Sequence, residues 1–132
     1  MLTVKQLQAS HSWAILTAEN PGGVRQADAV NEYRRNALRC LLDDSHYTYE
    51  EVTGTYGGNT EKAVLIYRIH PEKAAEIGRT FEQEAILTAR GLLFLETDQW
   101  VTTKGIKQYS SIPSDNYTKL ANGEIFASQL NF

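Results

Sequence analysis

Trp13-Ala-Ile-Leu-Thr-Ala-Glu-Asn-Pro-Gly-Gly23 is the stretch on which the fold reading turns. Apolar residues run almost unbroken from Trp13 to Ala18, as in a strand buried on both faces. Glu19-Asn20-Pro21 ends the run, and Gly22-Gly23 opens a loop ahead of a helix. A buried strand feeding polar groups into a loop is how a small α+β domain displays a site at a strand tip.

Working outward, Asp28 is the expected N-cap of a helix reaching about Leu42. Val30, Tyr33, Ala37 and Leu41, with Leu38 and Leu42 alongside, recur at three and four and form its expected packing face. Residues 2–9 read as a short helix or an edge cover. Tyr47–Thr53 and Glu61–Ile69 read as two strands joined through the turn cluster Gly54–Asn59, a hairpin with a long loop. His70-Pro71-Glu72 opens a second helix, buried through Ala74, Ile77, Gly78 and Phe81. Gly78 in its interior costs about 1 kcal/mol relative to alanine unless close packing compensates. Ala85–Ala89, a turn at Arg90-Gly91 and Leu92–Thr97 form a further hairpin, which Trp100–Lys104 extends. After Gly105 the chain reads as polar loop through Pro113 and Asn116. A last apolar patch, Ile125-Phe126-Ala127 with Leu130 and Phe132, is expected to fold back on the body.

The order strand, helix, strand, strand, helix, strand predicts an α+β two-layer sandwich: a mainly antiparallel sheet, two helices on one face, a ferredoxin-like βαββαβ core and added C-terminal strands. The 132 residues read as a single domain, with a core over about 12–104 and an extension over about 105–132.

Composition narrows the function classes. The hydrophobic fraction of 42% and charged fraction of 22% are those of a soluble globular chain, and the net charge of −3 argues against specific nucleic-acid binding. No apolar run approaches the ~20 residues that span a bilayer, and no signal peptide is visible, so a cytoplasmic location is expected. One cysteine, Cys40, rules out an intrachain disulfide; within its leucine-rich run a buried, inert thiol is expected. His11, His46 and His70 lack the spacing of a metal set, no Ser–His–Asp order is legible, and no cofactor motif occurs.

Four places carry candidate binding residues. Glu19 and Asn20 sit where a strand end meets helix amides, so they either present to a ligand or simply form the turn before Pro21. Asn31, Arg34 and Arg35 share one helix face; their guanidinium groups either grip a carboxylate or phosphate, or pair with Glu32 or a strand carboxylate. The glycines around Tyr56 allow close backbone approach and ring stacking, or serve only the hairpin. Gln83 at a helix–strand junction either reads a polar ligand or satisfies helix-end carbonyls.

These segments together resemble a bacterial and phage family catalogued as domain of unknown function 3293. The resemblance runs over about residues 12–90. It is carried by Trp13–Pro21, by Asn31 with Arg35-Asn36-Ala37-Leu38, by Glu61, and by Gly78-Arg79-Thr-Phe81-Glu-Gln83-Glu-Ala85-Ile86. It draws attention to Thr17, Asn20, Asn31, Glu61 and Gln83 and implies no activity. It also implies a small hydroxyl residue two after the glutamate, where this chain has Ala63.

Two functions follow as expectations. One is a binding or regulatory module, with a role in phage–host conflict suggested by the resemblance. Its polar or anionic, nucleotide-like ligand or protein partner would be held by Thr17, Glu19, Asn20, Asn31, Arg34, Arg35, Tyr56, Glu61 and Gln83. The other is a small hydrolase with Glu19 or Glu61 as general base and Arg35 as anion stabiliser. The apolar C-terminal tail is expected to cover its own subunit or to join a second.

Overall fold

The structure, a computed structural model, describes residues 1–113 and 115–132. In chain order its elements are helix α1 (Val4–Ala9), strand β1 (Trp13–Leu16), a 3₁₀ turn (Pro21–Gly23), helix α2 (Asp28–Asp44), strands β2 (Thr48–Tyr56) and β3 (Asn59–Tyr67), helix α3 (Pro71–Thr80), and strands β4 (Ala85–Thr88), β5 (Gly91–Phe94), β6 (Gln99–Tyr109), β7 (Tyr117–Lys119) and β8 (Ile125–Leu130).

The two-layer sandwich with a ferredoxin-like core does not form. The strands close into an antiparallel barrel in the order β1-β3-β2-β7-β8-β6-β5-β4, with β4 returning to β1. The reason lies in the stretch that reads as extension. Residues 99–109 are a long strand, interrupted between Thr103 and Ile106 by a register shift next to Gly105, and β7 and β8 complete the wall between β6 and β2. Their outer faces meet solvent and their inner faces a wide lumen, so few positions need to be apolar and the segment looks like loop. Closure leaves the sheet no free edge. Ser114, within the expected polar loop, lies outside the described residues.

Register fixes which side chains face the lumen, because residues opposite each other across a ladder share a face. Ile15 lies opposite Leu65 on one side and Leu87 on the other. Along β3 the same face carries Ala63 and Glu61, opposite Val52 and Gly54. It continues through Thr118 opposite Phe126, and through Ser128 opposite Ile106. The alternate residues Ala14, Leu16, Val64, Ile66, Ile86 and Leu93 point outward and are buried with Leu38, Leu42, Ala74 and Ile77 of α2 and α3. Thus β1 is buried on both faces, as its sequence implies, although one covering is a barrel interior.

α1 stoppers one end of the barrel. Its capping box, Thr3 with Gln6, starts the helix, and Val4 and Leu7 pack with Trp13 and Phe126. The Trp13 indole Nε1 donates to the Leu7 carbonyl at 3.2 Å. Its ring meets Phe126 edge-on, with centroids 6.1 Å apart. At α3, a Cβ on Gly78 would lie 2.8 Å from Leu95 Cδ1 and 2.9 Å from Ile86 Cγ2, so the missing side chain lets the helix press on the sheet.

Three local expectations also change. The β2–β3 hairpin turns through Gly57-Gly58 alone, both at positive φ, with Tyr56 paired to Asn59. This two-residue connection suits the right-handed strand twist better than a long loop. Ala27, not Asp28, precedes α2, and Asp28 occupies the first turn, where its charge complements the helix dipole. α2 is also rotated from its expected face. Asn31, Leu38 and Leu42 are buried, whereas Val30, Tyr33 and Ala37 face outward and Cys40 is exposed. Hydrogen bonds that join Asn31, Arg34 and Arg35 to the segment after β1 set this rotation, overriding the apolar period.

Candidate functional site

The end of the barrel away from α1 is open. A cavity of about 760 Å³ enters it, walled by Ile15, Ala63, Leu87, Leu92, Phe94 and Leu130. Its volume falls within the range of small-molecule sites. Two small residues help make the space: Ala63, where the family resemblance implies a hydroxyl, and Gly54, directly opposite Glu61.

At the mouth, β1 runs on into a polar knot. Thr17 Oγ1 donates to the Lys62 carbonyl at 2.7 Å and accepts from the Glu19 amide at 3.1 Å, prolonging the β1–β3 contact by a side chain. Asn20 then adopts a left-handed conformation, φ 49° and ψ 65°, which asparagine tolerates better than most residues. That turn aims its groups at three elements. Its backbone amide donates to Asn31 Oδ1 at 3.0 Å. Its Oδ1 accepts from Asn31 Nδ2 and from the Gln26 amide, each at 2.9 Å. Its Nδ2 donates to Glu61 Oε2 at 2.7 Å. Asn31 is buried on α2, so both its amide atoms are spent locking the strand end to the helix.

Arg35 and Glu19 form a mostly buried ion pair at 2.9 Å, and the same carboxylate oxygen accepts from the Lys62 amide at 3.2 Å. Arg34 donates to the carbonyls of Ala18 and Phe81, tying β1 to the α3 terminus. Gln83 Nε2 donates to the carbonyls of Glu19 and Phe81 at 3.1 and 3.2 Å. Thr17, Glu19, Asn20, Asn31, Glu61 and Gln83 therefore converge on one rim. Arg34 and Arg35 stand just behind it with their guanidinium groups engaged by the protein. Tyr56 lines the mouth from the hairpin side and is 55% exposed.

Glu61 is the rim group best placed to meet a ligand. Its Oε2 is held by Asn20, and its Oε1 has no hydrogen-bond partner among the described residues. Burial pushes its carboxyl above the usual range; the Asn20 bond pulls it down, while the carboxylates of Glu19 and Glu84 push it up. Folding therefore favours protonated Glu61, a contribution that is complete below the unfolded-state pKa and lost as pH rises through the higher folded-state value. The expected result is a fall in wild-type stability across that window which Glu61→Gln lacks. Parallel denaturation midpoints against pH check it; parallel curves for the two proteins would refute it.

Sequence reasoning passed over two members of this site. Glu84 lies so close to Gly23 that a Cβ there would sit 2.1 Å from Glu84 Oε1. Gln26 takes part through its backbone amide, which no side-chain pattern reveals. The signal for Glu84 was its place beside Gln83, one residue before a strand. Among the described residues, no group of three His, Cys, Asp or Glu side chains is placed to hold a metal ion, and no helix is long and apolar enough to cross a membrane.

No curated protein matches the chain. A family model described as "Protein of unknown function (DUF3293)" matches residues 16–86. The match covers β1 from its last residue through the start of β4, and so takes in the whole Thr17–Asn20–Asn31–Glu61–Gln83 rim. It spans more than half of the sequence, and the protein belongs to this family.

Proposed function

We propose that the protein is a small-molecule-binding module whose site is the open barrel lumen. The observation that carries this reading is the cavity of about 760 Å³, whose wall is apolar at Ile15, Leu87, Leu92 and Phe94 and polar at Thr118 and Ser128, with a rim of convergent polar groups. A purely structural interior would be filled by side chains, as small barrels of eight strands commonly are. Of the ligand classes expected from sequence, an anion gripped by Arg34 and Arg35 has lost its support, because Glu19 neutralises Arg35 and two carbonyls hold Arg34.

Fluorescence of the neutral apolar dye N-phenyl-1-naphthylamine tests the reading. Dye emission is expected to rise on mixing, and Ala85→Phe, which thrusts a ring into the cavity, is expected to weaken dye binding about tenfold or more. Tyr33→Ser on the outer face of α2 serves as the control and leaves dye binding intact. Equal dye binding by wild type and Ala85→Phe would overturn the lumenal site.

A second reading is a small hydrolase with Glu61 as general base. It is supported by the raised Glu61 pKa and by the common mouth that Glu61 shares with Glu19. Arg35 as anion stabiliser is unsupported, being committed to Glu19. Ester or amide turnover abolished by Glu61→Gln would favour this reading over binding alone.

A further inference from the structure

Resting on the lumenal site, we propose that its ligand is an amphiphilic amine, with an apolar body inside the barrel and a protonated ammonium held at the rim by Glu61. The argument begins with charge. Among the residues lining the cavity, Glu19, Asp28, Glu61 and Glu84 are acidic and Arg25 is the one cation among the described residues. Arg35 offsets Glu19 at 2.9 Å, which leaves Asp28, Glu61 and Glu84 as lining carboxylates without a paired cation among the described residues. A low-dielectric wall beside like charges strengthens their attraction for an arriving cation.

Geometry points the same way. Asn20 holds one Glu61 oxygen at 2.7 Å and thereby orients the carboxylate, while Oε1 remains for a ligand donor. The orienting amide is itself fixed by Asn31 through two bonds, so little side-chain freedom remains to be lost on binding. Below the carboxylate the lumen offers Ile15, Ala63, Leu87 and Phe94, which can bury an alkyl or aryl body but donate no hydrogen bond from their side chains. Tyr56 at the lip adds an aromatic face of the kind that attracts ammonium groups. A carboxylate ligand would instead meet Glu61 and Glu84, with Arg25 as the one lining guanidinium to set against them.

Displacement of N-phenyl-1-naphthylamine by n-octylamine, 1-octanol and octanoate, three ligands with one apolar tail length, tests the head-group preference. Octylamine is expected to displace the dye at a concentration about tenfold or more below that of octanol, with octanoate the weakest. In Glu61→Gln the amine is expected to lose its advantage over octanol, with the two compared inside the same variant. Equal displacement by amine and alcohol in the wild type, or an amine advantage that survives Glu61→Gln, would overturn the amine assignment and leave the lumenal site standing. Failure of the wild type to bind the dye would remove both, whereas dye that none of the three ligands displaces would overturn the amine assignment alone. Should Glu61→Gln not fold, the wild-type ranking alone decides.

Discussion

Phe126→Ala is expected to destabilise the protein by about 3–5 kcal/mol, the range for truncating a buried phenylalanine. The ring is fully buried and meets Trp13 edge-on at 6.1 Å, where β8 crosses the stoppered end of the barrel. Removing it opens a void between α1, β1 and β8 that three separate chain segments would have to collapse to fill. Against the 5–15 kcal/mol that small domains hold in total, such a loss is severe. Urea unfolding followed by tryptophan emission measures it, Trp13 being the buried reporter beside the lesion. A loss below about 1 kcal/mol would mean that β8 merely lies against the body and that barrel closure contributes little.

Arg35→Met should cost about 3 kcal/mol, because it leaves the Glu19 carboxylate largely buried with only the Lys62 amide as partner. Adding Glu19→Gln to the same chain should restore at least half of that loss. The glutamine oxygen still accepts from Lys62, and no unpaired charge remains to be buried. The comparison separates two roles that sequence left open for Arg35. A guanidinium reserved for a ligand would cost binding, not stability, when removed. A change in unfolding free energy within about 0.5 kcal/mol for Arg35→Met would refute the structural role.

One rotation of α2 withdraws Arg34 and Arg35 from any anionic ligand. Read by period alone, α2 presents Val30, Tyr33 and Ala37 to the sheet and leaves Asn31, Arg34 and Arg35 beside them, available to a ligand. In the fold, Val30 and Tyr33 are 44% and 76% exposed, and the polar face is turned in toward the end of β1. Each inward polar group finds a partner that desolvation would otherwise make costly to bury: Asn20 for Asn31, two carbonyls for Arg34, Glu19 for Arg35. A helix can bury a hydrogen-bonded polar face when the partners lie waiting on the neighbouring strand. Those partners are eleven to forty-seven positions away in sequence, beyond the reach of local periodicity.

Much of the rim was legible from residue chemistry. Asn20 before a proline and a glutamine at a helix–strand junction are polar groups at element ends, where a fold must either satisfy them or expose them; Glu61, expected to open a strand, lies two residues inside β3. The lumen was not legible. Its wall is assembled from single residues of separate strands, Ile15, Ala63, Leu87, Phe94 and Leu130 among them, and no one segment shows a concave surface.

What the amino-acid order determined by itself was local: a strand at Trp13, two helices, a glycine-rich turn somewhere within Gly54–Asn59, and polar residues at the end of β1. Those follow from side-chain volume, backbone freedom and capping chemistry within a few residues. Barrel closure, the facing of α2 and the space above Ala63 and Gly54 were decided only by tertiary structure. They depend on which strands meet, and that choice balances burial of Phe126 and its neighbours over the whole chain against the entropy of bringing distant segments together.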